Sequence, residues 1–250
     1  MGWQHIHFSV TASVARVTLA CPEKRNVLSR ALLAEIGEAL DAVEKEGARL
    51  LILDAEGKAF SSGGDLADPM THAGELGSLL DDHYHPLLRR LADLSCPTIS
   101  VVDGLIVGGA CGLALACDMV VATERARFAF PFTQIGLIPD CGLNWMLPRI
   151  VGPVQAKRML LFGETIDGEE AFRIGMASRF VETGALASIL SSIIDSALAL
   201  DPQAMAGTKQ AAAMAETQTL EQALSTEREL QHGAGRSPRF AATLARLSNR

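Results

Sequence analysis

Three glycine-bearing loops carry the residues of this chain that could do chemistry. One runs Asp103-Gly104-Leu-Ile-Val-Gly108-Gly109-Ala-Cys-Gly112. Before it, Thr98 to Val102 is apolar and β-branched, follows Pro97, and predicts a short buried strand. After it, Leu113 to Asp118 is rich in Ala and Leu and predicts a buried helix. Glycines let the backbone turn sharply and let another group approach with no Cβ in the way. A strand that turns into a helix leaves the first helical N–H groups unpaired, and those donors, with the helix dipole behind them, favour negative charge. The turn is therefore a candidate anion or oxyanion site, although the same glycines also serve a tight connection packed in an α/β core. A second strand-to-loop switch on paired glycines is Lys58-Ala-Phe-Ser61-Ser-Gly63-Gly64-Asp65. The third loop, Gln134 to Gly142, holds Asp140 between Pro139 and Cys141. By residue type alone, a carboxylate after proline reads as a solvated turn residue.

The elements that must position these loops follow from patterning. Ile6 to Val10 and Val14 to Leu19 alternate around Thr11-Ala-Ser13 and predict a β-hairpin. Ser29 N-caps a helix to about Lys45, with Leu32, Leu33, Ile36, Leu40 and Val43 on one face. Arg49 to Asp54 is short and apolar, as a central strand would be. Asp68 to Gly77 lacks periodicity and reads as a loop, and Leu79 to Leu94 as one amphipathic helix. Val120-Val121 and Arg127 to Phe132 begin further strands. Asn144 to Ile150, Pro153 to Phe162 and Gly168 to Ile174, capped by Asp167, read as helices. From Thr183 the chain is nearly all helix. Strands and helices alternate first and helices alone follow, which predicts a layered α/β core (1–182) with a C-terminal helical region (183–250).

Composition sets bounds. The 250 residues support a full core in one globular domain. A net charge of −7 argues against nucleic acid as a partner. No apolar run is long enough to span a bilayer, and Met1 opens neither a signal sequence nor a myristoylation pattern, so the expectation is a cytoplasmic protein without a membrane partner. Five cysteines, odd in number and without a C-x-x-C, read as reduced thiols. His, Cys, Asp and Glu show no ligand spacing, so no metal is expected.

Ala59 to Leu66, Pro97 to Asp118 and Ala126 to Gly152, with Asn26-Val-Leu-Ser29 and Ala171 to Ala177, together resemble the crotonase (enoyl-CoA hydratase/isomerase) superfamily, from about Phe8 to Arg246. The resemblance implies the ClpP/crotonase fold: repeated ββα units, two roughly perpendicular sheets, and C-terminal helices. It implies a homotrimer or a dimer of trimers. The substrate class it implies is an acyl thioester of coenzyme A, so CoA belongs to the substrate and no separate cofactor is needed. By motif position, the N–H groups of Gly64 and Gly109 form an oxyanion hole. Such donors stabilise the charge that develops on the carbonyl oxygen when a proton leaves the adjacent carbon, each worth roughly 3 kcal/mol.

Departures from the hydratase pattern narrow the chemistry. Hydratases of this superfamily hold water with two glutamates, and this chain has Gly112 and Phe132 in their places. Neither residue can act as acid or base. Asp140, in Ile135-Gly-Leu-Ile-Pro-Asp140, resembles the aspartate of the ring-1,2-epoxyphenylacetyl-CoA and Δ3,Δ2-enoyl-CoA isomerases, which moves a proton along the acyl chain. It also resembles the nucleophilic aspartate of 4-chlorobenzoyl-CoA dehalogenase, which has a histidine matching His85. An apolar setting among Phe130, Phe132, Ile138 and Trp145 would raise its pKa and suit it to proton transfer.

The resemblance also implies a CoA site from Lys24, Arg25, Ser61, Asp65 and Leu66, and an acyl pocket from His85, Phe132 and Trp145. It lacks the Lys-Arg-x-Pro-x-Phe tail that often completes the CoA site. Three functions follow as expectations: an acyl-CoA isomerase in fatty-acid or phenylacetate metabolism with Asp140 as acid and base, a hydrolase or dehalogenase with Asp140 as nucleophile, and an acyl-CoA-binding protein without chemistry.

Overall fold

A computed structural model describes residues 2–248; Met1 and residues 249–250, the start and the end of the tail considered above, lie outside the described residues. The chain opens with the expected hairpin, β1 (Ile6–Thr11) and β2 (Val14–Leu19). Ala12 and Ser13 both take positive φ, 48° and 65°, as a two-residue hairpin turn requires. Helix α1 (Arg30–Lys45) starts where Ser29 accepts the Leu32 N–H at 3.2 Å. Next come β3 (Leu50–Ala55), β4 (Ala59–Ser61), the short helices α2 (Pro69–His72) and α3 (Leu76–Leu79), a π turn at Leu80–Tyr84, and α4 (His85–Asp93). Two strands follow, β5 (Thr98–Val102) and β6 (Leu105–Val107), then α5 (Gly109–Leu115), β7 (Met119–Thr123) and β8 (Arg127–Ala129). Helices α6 (Leu143–Val151) and α7 (Pro153–Phe162) lead to β9 (Thr165–Asp167), α8 (Gly168–Arg173) and β10 (Arg179–Val181). After β10 the named elements are helical: a 3₁₀ turn at Thr183–Ala185, then α9 (Leu186–Ala199), α10 (Pro202–Ala215), α11 (Leu220–Ala234) and α12 (Pro238–Ser248).

Successive strands go to different sheets. One sheet runs β1-β2-β3-β5-β7-β10 and the other β4-β6-β8-β9. The pairs β3/β4, β5/β6 and β7/β8 each give one strand to either sheet before a helix returns, so the core is built of repeated ββα units as the crotonase fold requires. β3 is central, between β2 and β5, which is why Leu50 to Leu53 are all buried. Fully buried Phe60, Phe128 and Ile106 from the smaller sheet join Leu32, Ile36 and Leu40 of α1 and Val17, Leu51 and Leu53 of the larger sheet in one core.

Three expectations are corrected. Thr98–Val102 does not turn directly into a helix: the chain crosses at Asp103-Gly104 and lays β6 into the second sheet before Gly108 opens α5. Gly104 has φ 144°, and a Cβ there would lie 2.4 Å from the Lys58 carbonyl oxygen, so the crossing needs glycine. Asp68 to Gly77 holds two short helices; Asp68 caps α2 by accepting the Met70 N–H at 2.8 Å and pairs with Arg30 Nε at 2.7 Å. Leu79 to Leu94 is one stretch broken by the π turn, which hydropathic spacing does not reveal. Among the described residues, no single helix is long and apolar enough to cross a membrane.

Candidate active site

The three glycine loops converge on one cavity of about 540 Å³. Its walls are Ser62 to Leu66, Val107 to Gly109, the Pro131–Trp145 region, and side chains between Thr71 and His85. The loops can close on each other because they lack side chains where they touch. A Cβ on Gly63, at φ 88°, would lie 2.7 Å from the Val107 carbonyl oxygen. This close approach sets the Gly63-Gly64 turn against Val107 at the end of β6, just before α5, with Gly64 and Gly109 lining the same cavity. Leu28 holds the loop from outside, with its N–H donating to the Gly63 carbonyl at 2.8 Å and a parallel bridge to Gly64. Gly108 takes φ 59°, and Gly109 begins α5. Among the described residues, no acceptor takes the N–H of Gly64 or of Gly109.

Asp140 enters the same cavity from the loop before α6. Its backbone is followed by two residues at positive φ, Cys141 (49°) and Gly142 (75°), which turn the chain back into the helix. Its Oδ1 is buried and has no hydrogen-bond partner. A Cβ on Gly109 would stand 3.2 Å from that oxygen, so the carboxylate lies against the first residue of α5. Burial pushes the Asp140 carboxyl above the ordinary carboxylate range, opposed more weakly by the neighbouring Cys141 thiol and the His85 ring. A buried carboxyl with a free oxygen in an apolar wall has the properties of a proton carrier.

The other expected residues divide. His85 lines the cavity and its Nδ1 lies 2.9 Å from Asp81 Oδ1. Phe132 is buried with its ring against Gly108. Trp145 is 46 % exposed and carries the Arg149 guanidinium 4.1 Å from its ring centroid. Leu66 and Asp65 line the mouth; the Asp65 carboxylate accepts the Ala67 N–H at 3.0 Å and so also shapes its own loop. Ser61 is fully buried and accepts the Gly63 N–H at 3.1 Å, which leaves its hydroxyl inside the loop. Lys24 and Arg25 are exposed and outside the cavity wall, although the Arg25 carbonyl accepts the Ser62 N–H at 2.9 Å and joins their loop to it. Phe130, expected beside Asp140, is instead fully buried in the core behind it.

Three contributors escaped sequence reasoning. Cys141 packs its Sγ against Gly109, where a Cβ would lie 2.7 Å away. Tyr84 puts its hydroxyl on the Leu28 carbonyl at 2.9 Å. Asn26, itself at φ 51°, accepts the Cys21 N–H and donates to the Glu56 and Ala59 carbonyls. Only the last left a signal, since a buried asparagine is among the few residues that accept left-handed backbone and can bond locally. All five cysteines are free and buried.

Comparison with known proteins shows the family and the fold. The family model described as Enoyl-CoA hydratase/isomerase matches residues 9–244. Over 234 residues the chain is 38 % identical to 1,2-epoxyphenylacetyl-CoA isomerase of Escherichia coli K12, covering 91 % of this chain and 89 % of that protein. It is 34 % identical over 248 residues to 4-chlorobenzoyl coenzyme A dehalogenase-2 of an Arthrobacter species, covering 96 % and 89 %. A solved enoyl-CoA hydratase of Polaromonas sp. JS666 superposes with a TM-score of 0.89 at 28 % identity, covering 98 % of this chain and 97 % of that one.

Proposed function

The chain belongs to the enoyl-CoA hydratase/isomerase family, the crotonase superfamily, and from that premise we propose that it is an acyl-CoA isomerase with Asp140 as its single proton carrier. In this reading the thioester oxygen sits between the N–H groups of Gly64 and Gly109, which have no protein acceptor among the described residues. Asp140 takes a proton from a carbon of the acyl chain, the electrons move onto the thioester oxygen as an enolate, and the same carboxyl returns the proton at another carbon. The double bond thereby moves, and an epoxide could rearrange through a related enolate. Two preorganised donors of this kind contribute roughly 3 kcal/mol each to the transition state.

The observation that carries the reading is the unpartnered, buried Asp140 Oδ1 beside Gly109, with no second carboxylate on the cavity wall near it. Asp65, the other acid lining the cavity, is tied to its own loop at the mouth. One acid suits a reaction that removes and returns one proton, whereas hydration needs a base for water and an acid for carbon. Proton NMR in deuterated water with 3-enoyl- and 2-enoyl-CoA esters tests it. The expected result is double-bond migration with deuterium incorporation, abolished in Asp140→Asn while CoA-ester binding persists. A mutant with undiminished turnover overturns the assignment.

A hydrolytic reading is favoured by one specific observation: His85 stands in the same cavity as Asp140 and acts on its charge. There Asp140 would attack the ring carbon of a halogenated aryl-CoA, expel the halide and form an aryl ester that water then cleaves, or attack the thioester carbonyl of an acyl-CoA, expel CoA and form an anhydride that water then cleaves. Mass spectrometry of a rapidly quenched reaction separates the two, because only the hydrolytic route leaves an adduct on the Asp140 peptide.

A further inference from the structure

Tyr84 is the only tyrosine in the chain. It closes the π turn Leu80–Tyr84, immediately before α4, where the His85 N–H bonds back to the Leu80 carbonyl. A π turn carries one more residue than a regular turn, which rotates the flanking side chains by about 100° relative to an unbroken helix. The ring is 7 % exposed and forms part of the cavity wall. Its hydroxyl donates to the Leu28 carbonyl at 2.9 Å.

That contact falls on the bridge that carries Gly64. Leu28 pairs with Gly64, and its N–H donates to the Gly63 carbonyl. On the other side, a Cβ on Gly64 would lie 3.3 Å from the Tyr84 hydroxyl oxygen, so the phenol also packs on the open face of that glycine. One hydroxyl thus touches both partners of the bridge. Beyond Gly64 the loop is tied at Asp65, whose carbonyl accepts the Asp68 N–H at 3.1 Å and the Thr71 hydroxyl at 3.3 Å; at Gly64 itself the Tyr84 hydroxyl is the group that meets the open face. Burial, reinforced by the nearby Cys141 and Asp140, pushes the phenol well above its usual ionisation range, which keeps it a neutral donor.

We infer that Tyr84 is a positioning residue: its hydroxyl, tied to the Leu28 carbonyl, fixes the Gly63–Gly64 backbone so that the Gly64 N–H faces the thioester oxygen. The inference rests on the oxyanion-hole reading given above. It concerns a donor whose value depends on being aimed before the reaction begins. Tyr84 itself makes no bond to the reacting atoms in this scheme.

The test uses a saturated acyl-CoA labelled with ¹³C at the thioester carbonyl, which binds without turning over. Isotope-edited infrared spectroscopy reads the carbonyl stretch, which falls when the oxygen accepts aimed hydrogen bonds. In Tyr84→Phe, the binding-induced shift should lose about half its size and kcat should fall about tenfold or more, with KM changed much less. A Tyr84→Phe protein with the full shift and full kcat overturns the inference and leaves the oxyanion hole intact. A wild-type protein that shows no shift overturns the oxyanion hole and this inference with it.

A second variant keeps the ring and its packing. Because there is a single tyrosine, growth on trifluorotyrosine alters Tyr84 alone and makes its hydroxyl more acidic. The expected result is a new loss of kcat at high pH, as the phenol gives up the proton that it donates, with thermal stability followed in parallel. A pH profile identical to that of the wild type across the phenol's titration overturns the inference.

Discussion

Gly112 has no side chain because Cys141 occupies its space. A Cβ on Gly112 would lie 2.3 Å from the Cys141 carbonyl oxygen and 2.7 Å from the Cys141 Cβ. Cys141 reaches that place through its positive φ of 49°, which folds the Asp140 loop onto the buried face of α5. The missing acid at Gly112 and the position of Asp140 are therefore one packing arrangement. The loop can lie this close only over a glycine, and by lying there it presents Asp140 beside Gly109.

Gly112→Ala is expected to destabilise the protein by about 2–3 kcal/mol, since the clash is with backbone and Cβ atoms that cannot rotate away. For a chain of this size that is a fall of roughly 4–12 °C in Tm, read by thermal melting. Gly112→Glu should give no hydratase activity with 2-enoyl-CoA, because the glutamate cannot enter without expelling the loop. A stable Gly112→Glu protein that hydrates crotonyl-CoA would show that the loop is free to move away.

Asp140→Asn should be more stable than the wild type at neutral pH. The folded-state pKa of Asp140 is raised, chiefly by burial, so the folded protein holds that proton more tightly than the unfolded chain. Stability is therefore lost as pH rises from the ordinary aspartate value of about 3.9 through the raised folded value, and stays lost above it. The amide removes this cost. Denaturant melts should show the gain at pH 7–8 and its disappearance at about pH 3, where the carboxyl is protonated in both the folded and the unfolded chain. Equal stabilities at pH 8 would mean that the carboxylate is solvated in the folded protein.

The same displacement shapes the pH–rate profile. The proton-abstracting form is the carboxylate, so kcat/KM should fall on the acid side with a midpoint above the usual carboxylate range. Asp81→Asn supplies the control through His85, whose Nδ1 it contacts at 2.9 Å. If His85 opposes the rise at Asp140 electrostatically, changing its partner moves the acid limb. A profile flat down to pH 4 would exclude Asp140 as the base.

Asn26 tests how the glycine loop is anchored. Its side chain accepts the Cys21 N–H at 2.8 Å and donates to the Glu56 and Ala59 carbonyls, each at 2.9 Å, while its backbone is left-handed. Asn26→Ala loses three hydrogen bonds, two buried and one half-buried, and puts an aliphatic residue where asparagine is better tolerated. The expected cost is about 3 kcal/mol, with β4 and the Ser61–Asp65 loop losing hydrogen-exchange protection first. Uniform loss of protection across both sheets would place Asn26 in the global fold instead.

Much of this was legible before any coordinates. Period-two alternation and the Ser29 cap placed the hairpin and α1, and an unbroken apolar run placed the central strand, because burial on one face or on both writes itself into residue type. The glycine pairs at Gly63-Gly64 and Gly108-Gly109 marked where backbones approach, whereas Asp140, which by residue type alone reads as a solvated turn residue after Pro139, was singled out only through the family resemblance. β6, β9 and β10 escaped because three residues are too few to show a period. The π turn escaped because Leu79 to Leu94 has the apolar spacing of a plain helix. Phe130 was misplaced because adjacency in sequence does not say which side of a strand faces the cavity, and Ser61, named through the resemblance, turns its hydroxyl into its own loop.

Trp145 tests where an acyl group would run. Its indole stands between the main cavity and a second hollow of about 750 Å³, with Cys141 and Gly142 in the same dividing wall. Arg149, one turn along α6, stacks on the ring and donates to the Trp145 carbonyl at 2.9 Å, bracing the partition. A saturated acyl-CoA series binds by burying methylenes, each worth about 0.8 kcal/mol or roughly fourfold in Kd. In the wild type that gain should stop once the chain reaches the indole. In Trp145→Ala the two spaces join, and the fourfold steps should continue through several further methylenes, as measured by calorimetry along the series. Arg149→Gln, which removes the brace but leaves the ring, should soften the break without abolishing it. If wild type and Trp145→Ala show the same dependence on chain length, the acyl group does not run toward Trp145 and its far end lies instead under Leu76 and Leu80.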